Sequence, residues 1–466
     1  MDEVLVLIDI GSTFTKITAV NLSAVEVMAK SNAPTTPDDV SIGLENGLAG
    51  LGLSEETIMT SRKLACSSAA GGLRMVAIGL VQDLTAKAAR QAALGAGARV
   101  LRTYSFQLTD EDREEIIELE PDIILLAGGT DGGNTANILH NAGVLAGLPR
   151  PLPVVIAGNR SVSAEAAGMF PKRFSTYIAP NVMPQIGKLV VEPAREVIRR
   201  VFMEKIVFAK GLNKAARFIE GIFMPTPAAV LKAGQLLSEG TRTVPGWGDL
   251  MIVDVGGATT DIHSFGSGAP TTAGVVLRGL PEPHAKRTVE GDLGVRVSVL
   301  SLLEAVGAEV LAKDSGWAEE DIANYAQKLS KRPELLPQTE REARLDASLA
   351  RQAARLGVGR HVGRLSELYT PSGLIWVQDG KDLSEVDRVI GTGGVLVNSQ
   401  EPRTILAGAE KTDEAPLELR PKHPRYFLDG QYIMAPMGLL AEEHPREAIM
   451  ILKDLLAEQK LARRDG

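Results

Sequence analysis

The 466-residue sequence predicts a two-lobed α/β protein in which each lobe is built on a copy of one strand–turn–strand unit. Three observations predict it: an internal repeat, strands that alternate with helices, and a glycine-rich, aromatic-poor composition. Placing MIVDVGGATTDI (251–262) under VLIDIGSTFTKI (6–17) sets Asp254 on Asp9, Gly256 on Gly11, Thr260 on Thr15 and Asp261 on Lys16. Each copy reads as strand, aspartate, small-residue turn, threonine and second strand, which is a hairpin signal. Repetition across half a chain implies two duplicated lobes. With 47 glycines and 4% aromatics, the chain suits closely packed α/β layers better than a β-sandwich, and its 44% hydrophobic residues supply a large core.

In chain order, 4–9 is an apolar strand and 15–20 its hairpin partner. Residues 83–98 read as an alanine-rich helix ending at Gly95 or Gly97, and 110–120 as an acidic helix stopped by Pro121. DIILLA (122–127) and PVVIA (153–157) are buried strands around a helix at 134–146. That alternation implies a parallel sheet between helices. Residues 186–240 turn helical, and a second apolar strand begins at Leu250. Residues 295–370 read as helical and charged, without strand signals. DRVIG (387–391) is a short strand, and 443–464 an amphipathic helix. Length predicts roughly three domain-sized units. The expected division is a first lobe at 1–200, a helical connection at 201–245, and the start of the second-lobe sheet at 246–290. A helical insertion at 291–385 and completion of the second lobe at 386–466 follow.

Composition excludes several functions. A net charge of −8 argues against a nucleic-acid partner, whose affinity would rest on neutralising phosphates. One cysteine, Cys66, permits neither an intrachain disulfide nor a cysteine-rich metal site. The start shows no basic and apolar leader pattern, and no apolar run approaches the ~18 residues needed to span a bilayer. The expectation is a soluble, cytoplasmic protein without a membrane partner. No Walker-type G-x-x-x-x-G-K-[ST] is present, and the six histidines (His140, His263, His284, His361, His423, His444) show no metal-ligand spacing. His263, beside the second turn, reads as a packed strand residue rather than a base.

The two turns carry the chemistry. Gly11 and Gly256 allow close backbone approach, and successive N–H groups in such a turn form an anion-binding nest. Ser12, Thr13 and Thr15 add hydroxyl donors and Lys16 a positive charge; Gly257, Thr259 and Thr260 do the same in the second copy. Two such nests facing each other would grip a triphosphate from both sides. Asp9 and Asp254, each ending a strand, would hold Mg²⁺ mostly through its waters. VIGTGGV (389–395) lets a base and ribose approach the backbone. GGTDGGN (128–134) ends a strand in the first lobe, where α/β ligands bind. Gly128, Gly129, Thr130 and Asp131 are further candidates for touching phosphate or a partner, with a plain turn before a helix as the alternative.

DIGSTFTK (9–16), DVGGATTD (254–261) and VIGTGG (389–394) resemble the phosphate-1, phosphate-2 and adenosine motifs of the actin, sugar-kinase and heat-shock-chaperone superfamily. GGTDGGN, AGNR (157–160), NVMP (181–184), VEPAR (191–195) and EGDLGVR (290–296) further resemble the GlmL or MutL family over nearly the whole chain. That family comprises accessory proteins of adenosylcobalamin-dependent glutamate mutase and related aminomutases.

The resemblance implies an actin-like fold with duplicated ribonuclease-H-like domains and a mainly helical insertion. It also implies ATP and magnesium as cofactors, and ATP-driven reactivation of a mutase whose cobalamin is damaged. Carried over, Asp9, Gly11, Ser12, Thr13, Thr15 and Lys16 form the first phosphate loop. Asp254, Gly256, Gly257, Thr259, Thr260 and Asp261 form the second, and Gly391, Gly393 and Gly394 line the adenosine pocket. Asn181 and Gln185 are candidates for positioning the attacking water, and a homodimer is compatible with the pattern. A small-molecule kinase and a scaffold protein are competing readings. An iron–sulfur dehydratase activator, which bridges a cluster with two cysteines from each subunit, is disfavoured by the single Cys66.

Overall fold

The computed structural model describes residues 3–11, 14–36, 39–68, 73–206, 219, 223–371, 373–458 and 461. The chain divides into two compact units, Met1–Leu236 with Met434–Ile451, and Leu237–Ile433 with Leu452–Gly466.

In the first unit, β1 (Val4–Ile10), β2 (Phe14–Asn21) and β3 (Glu26–Pro34) form an antiparallel meander, and β4 (Arg62–Ser67) pairs parallel to β1. The β1 sequence is apolar at almost every position because this central strand is covered on both faces. The chain then builds a second sheet of five parallel strands: β5 (Leu73–Gly79), β6 (Ala98–Ser105), β7 (Ile123–Leu126), β8 (Pro153–Ile156) and β9 (Ser175–Ile178). Their order is β6-β5-β7-β8-β9, a doubly wound arrangement. The acidic crossover helix Asp110–Leu119 starts at a Thr109–Asp112 capping box, and left-handed Glu120 ends it before Pro121. Beyond this insertion, β10 (Phe223–Pro225) returns to pair parallel with β4 and completes the first sheet as β10-β4-β1-β2-β3.

The second unit holds β11 (Leu250–Val255), β12 (Thr260–Phe265), β13 (Val275–Arg278), β14 (Ala285–Glu290), β15 (Arg364–Thr370), β16 (Gly373–Asp379), β17 (Arg388–Thr392) and β18 (Arg425–Leu428). Its main sheet runs β14-β12-β11-β17-β18: three antiparallel strands, then two parallel to β11 on its other side. That is the strand order and direction of the first sheet. The repeat extends to register, since Asp9 pairs with Lys16 and Ile10 with Thr15, while Asp254 pairs with Asp261 and Val255 with Thr260. The fold is therefore the duplicated ribonuclease-H-like, actin-like architecture.

Three segments differ from expectation. Helices Val299–Val306, Ala308–Ser315, Glu319–Lys331 and Glu340–His361 fill most of the helical insertion expected at 291–385. Past them, β15 and β16 join β13 in a separate three-stranded sheet. RLSELYT and GLIWVQD are largely exposed and do not alternate clearly; they pair with each other as a local hairpin, and β16 also pairs with the distant β13. The expected helical connection at 201–245 contains β10 as well as the helix Thr226–Glu239; residues 207–218 and 220–222 lie outside the described residues. Residues 434–451, expected to complete the second lobe, cluster with the first unit. There the helix Met434–Leu440 presses on Thr226–Glu239 so closely that a Cβ on Gly438 would lie 1.9 Å from Ala229 O. Among the described residues, no helix is long and apolar enough to cross a membrane.

Candidate functional site

The hairpin between β1 and β2 closes through Gly11 N–H donating to Phe14 O at 3.0 Å. A Cβ on Gly11 would stand 2.6 Å from that carbonyl, so the turn needs glycine for steric room. Ser12 and Thr13 lie outside the described residues. Asp9 is buried at the end of β1, where its Oδ1 accepts from Thr226 Oγ1 at 2.6 Å and from Cys66 Sγ at 3.5 Å. Burial and the neighbouring Asp9 charge push the Cys66 thiol up, so it stays protonated and is no nucleophile. Lys16 stands across the ladder from Asp9. Thr15, expected as a ligand donor, is fully buried instead: its hydroxyl meets Thr35 Oγ1 at 3.1 Å, and Thr35 donates to Gly11 O at 2.9 Å.

The second hairpin repeats the closure, with Gly256 N–H donating to Thr259 O at 2.9 Å and a Gly256 Cβ 2.9 Å from the same oxygen. The turn's carbonyls point toward one neighbouring segment. Gly256 O accepts from Val295 N–H, Gly257 O accepts from Arg296 and Val297 N–H, and Ala258 O lies 2.8 Å from Ser298 Oγ. The N–H groups of Gly257, Ala258 and Thr259 have no hydrogen-bond partner among the described residues, and Gly257 and Ala258 are exposed. Peptides with carbonyls tied on one side and N–H groups left open form an anion nest. Thr260, like Thr15, turns inward and donates to Leu293 O at 2.7 Å. Asp261 also faces inward: Arg287 binds its Oδ1 at 2.6 and 2.9 Å, and its Oδ2 accepts from Thr259 Oγ1 at 3.0 Å. Both of its carboxylate oxygens are thus engaged by neighbouring side chains.

The glycine motif belongs to the same unit and the same place. Thr392 pairs with Asp254 across β17 and β11. A Cβ on Gly393, whose φ is 101°, would lie 2.4 Å from Val255 O and 2.8 Å from Asp254 Oδ1, whereas one on Gly394 would meet nothing within 4 Å. Gly391 lies against Leu406, which leaves 2.9 Å for a Cβ.

Two residues not found by sequence reasoning complete this corner. Buried Asp429 accepts from Ile433 N–H at 2.8 Å and from Thr392 Oγ1 at 3.3 Å. Tyr432 has left-handed φ at 52°, and its phenol is pushed up to about 12 by burial and by the charges of Asp254 and Asp429. RYFLDG ends in Asp429 and Gly430 without the one-residue spacing of Asp9–Gly11 and Asp254–Gly256, so the repeat does not mark it.

The 128–134 loop occupies a different place, at the carboxyl end of β7. Fully buried Asn159 accepts from Gly132 N–H and donates toward Gly133 O and Asn134 O, while Asn181 donates to Gly129 O and Asp131 Oδ1. Gly128, Gly129, Thr130 and Asp131 are thus held by the loops after β8 and β9. No hydrogen bond among the described residues joins them to either hairpin. Asn181, considered for water positioning, commits its amide to this buttress. Gln185 is exposed on a tight turn bridged to Lys188. Among the described residues, no group of three or more His, Cys, Asp or Glu could hold a metal by itself.

His263 is buried on β12 and held down to about 3, first by burial and then by Arg287. His361 is also buried and lowered, with its ring nitrogens 2.9 Å from Thr288 Oγ1 and 2.7 Å from Ser264 Oγ. Both stay neutral in the folded protein while the unfolded chain takes up protons below about 6.5, so the unfolded state binds more protons there. Stability is therefore expected to fall as pH drops from about 6.5 toward 3, by up to about 1.4 kcal/mol per pH unit from His263, with His361 acting in the same direction. Urea midpoints measured across that range test this. His263→Leu should flatten the slope, and an unchanged slope would count against a neutral buried imidazole.

Comparison with known proteins gives consistent matches. A family model described as MutL protein matches residues 5–456. Protein MutL of Clostridium tetanomorphum is 49% identical over 456 residues, covering 97% of this chain and 99% of its own. Among solved structures, a nucleotide-free acetone carboxylase is 14% identical, with 95% of this chain and 70% of that one covered at a TM-score of 0.39. The activator of 2-hydroxyisocaproyl-CoA dehydratase from Clostridium difficile is 11% identical, covering 99% and 100% at a TM-score of 0.32. A glycerol dehydratase reactivase is 10% identical, covering 94% and 99% at 0.33. At such scores, the fold rests on the strand order described above.

Proposed function

This chain belongs to the MutL protein family, and on that footing we propose that it is an ATP-dependent reactivating chaperone. Its partner is an adenosylcobalamin-dependent mutase, glutamate mutase or a related aminomutase. The observation that carries the nucleotide half is the second hairpin: three open N–H groups at Gly257–Thr259, with Asp254 and the bare backbone of Gly393–Gly394 in the same unit. Phosphate oxygens take the N–H groups, and the adenosine lies along the glycines. The first hairpin repeats this register within its own unit, with Gly11 and Lys16 at the corresponding places as a second phosphate-binding candidate. Magnesium keeps several waters and needs one or two carboxylates besides phosphate, a role for which Asp254 is the candidate in the second unit and Asp9 its counterpart in the first; when bound, it would offset charge on the transferred phosphoryl group.

The chaperone half rests on family membership. A mutase whose cofactor has lost its adenosyl group holds dead cobalamin, and a partner can eject it only if its affinity for the open mutase differs between nucleotide states. The iron–sulfur activator reading finds no support at Cys66, which is enclosed against Asp9.

The experiment loads the mutase with cobalamin lacking the adenosyl group and follows cobalamin release by absorbance. Release that requires this protein, magnesium and ATP, followed by recovered mutase activity with fresh adenosylcobalamin, is expected. ATP turnover raised by a small acceptor molecule, with no cobalamin released, would replace this reading with a kinase.

A further inference from the structure

The segment EGDLGVR stands out in the sequence, and ATP binding alone leaves it without a role. In the structure it wraps the back of the second hairpin. A Cβ on Gly294 would lie 2.4 Å from Ala258 C and 2.5 Å from Gly257 O, so the segment lies flat against the turn. Val295, Arg296 and Val297 then donate their N–H groups to Gly256 O and Gly257 O at 2.8–3.1 Å. These bonds set the peptide planes whose opposite edges are the open N–H groups.

Arg296 joins this strap to the helices that follow. Its backbone N–H is 2.8 Å from Gly257 O. Its guanidinium meets both oxygens of Asp346 at 3.2 and 2.5 Å, and its Nε donates to Leu335 O at 3.1 Å. Asp346 lies near the start of the long helix Glu340–His361, and Leu335 lies in the segment leading into it. Arg296 and Asp346 are both buried, and a bidentate Arg–carboxylate pair has a fixed geometry. The far end of the same helix is tied to β12 and β14 through His361, Ser264 and Thr288. Between these ends, a Cβ on Gly357 would sit 3.2 Å from Thr260 Cγ2, so the helix backbone lies against the strand that leaves the hairpin.

We propose that Arg296 is a positioning residue that couples phosphate occupancy of the second hairpin to the helical insertion at 299–361. Anion binding fixes the Gly257 and Ala258 peptides. Their carbonyls fix the strap, and the Arg296–Asp346 fork passes that constraint to the long helix and its packed neighbours. Loss of the γ-phosphate relaxes the same chain of contacts. The insertion is thereby the element that reports nucleotide state within this unit. The inference rests on the reading of the hairpin as a phosphate site.

Amide hydrogen exchange on the full chain, without nucleotide and with Mg·ADP or a non-hydrolysable Mg·ATP analogue, tests it beside calorimetric nucleotide binding. The ATP analogue is expected to slow exchange across 299–361 roughly 5–150-fold, the usual span of intramolecular coupling. Arg296→Lys keeps the charge but not the fork. It should bind nucleotide within about threefold of the parent while losing most of that slowing, a pattern that simple destabilisation does not give. Asp346→Asn, which preserves side-chain volume, is expected to do the same and serves if the first variant folds poorly. An insertion that still responds fully in a folded Arg296→Lys or Asp346→Asn variant overturns the coupling while leaving the phosphate site intact. No nucleotide binding by the parent protein overturns both.

Discussion

Asp254→Ala is expected to lower magnesium-dependent ATP hydrolysis by about 10²–10³-fold in kcat, the usual loss when one preorganised electrostatic group is removed from a reacting centre. The carboxylate stands at the end of β11, beside the open N–H groups of the second turn and the bare backbone at Gly393. The strand is held by main-chain ladders to β12 and β17, which the substitution leaves in place. The thermal midpoint should therefore barely move, and a steady-state phosphate-release assay beside a melting curve separates the two effects. Turnover equal to that of the parent protein would falsify the assignment of this corner as the magnesium and phosphate site.

Gly393→Ala should produce the largest loss of stability among the site variants, about 2–4 kcal/mol, together with loss of nucleotide binding. Two penalties combine. With φ at 101° and ψ at 152°, the residue occupies a region almost closed to side chains. A methyl group would also overlap Val255 O and push on the Asp254 carboxylate. Gly394→Ala is the matched control. It adds the same methyl one residue later, where no atom lies within 4 Å, and its stability should stay within about 0.5 kcal/mol of the parent. Equal melting of the two variants would show that the glycine motif is not shaped by close backbone approach.

Much of the fold was legible in particular residues. The apolar runs at 122–127 and 153–157 became central parallel strands because a strand covered on both faces must be apolar throughout. Aligned aspartates and glycines anticipated the register of both hairpins. The site was legible only in part. Thr15 and Thr260 look like ligand donors in a list of turn residues, yet strand alternation turns both inward. Asp261 resembles a phosphate-loop residue until Arg287 appears beside it from β14. Asp429 and Tyr432 join the site through β18, far along the chain from Asp254, and a local pattern does not report such a meeting.

The sequence by itself determined the duplication, the hairpin turns, the alternation of strands and helices, and family membership. These are written in local spacing and in side-chain type, which set backbone reach and which face is apolar. Tertiary structure alone decided that β10 closes the first sheet beyond a whole inserted parallel sheet, and that 434–451 pack with the first unit. It alone decided which hydroxyls and carboxylates are tied up by neighbours and which peptide N–H groups remain open. Those outcomes depend on contacts between residues far apart in the chain. Whether a polar group is already hydrogen-bonded is a property of the packed neighbourhood, not of the residue.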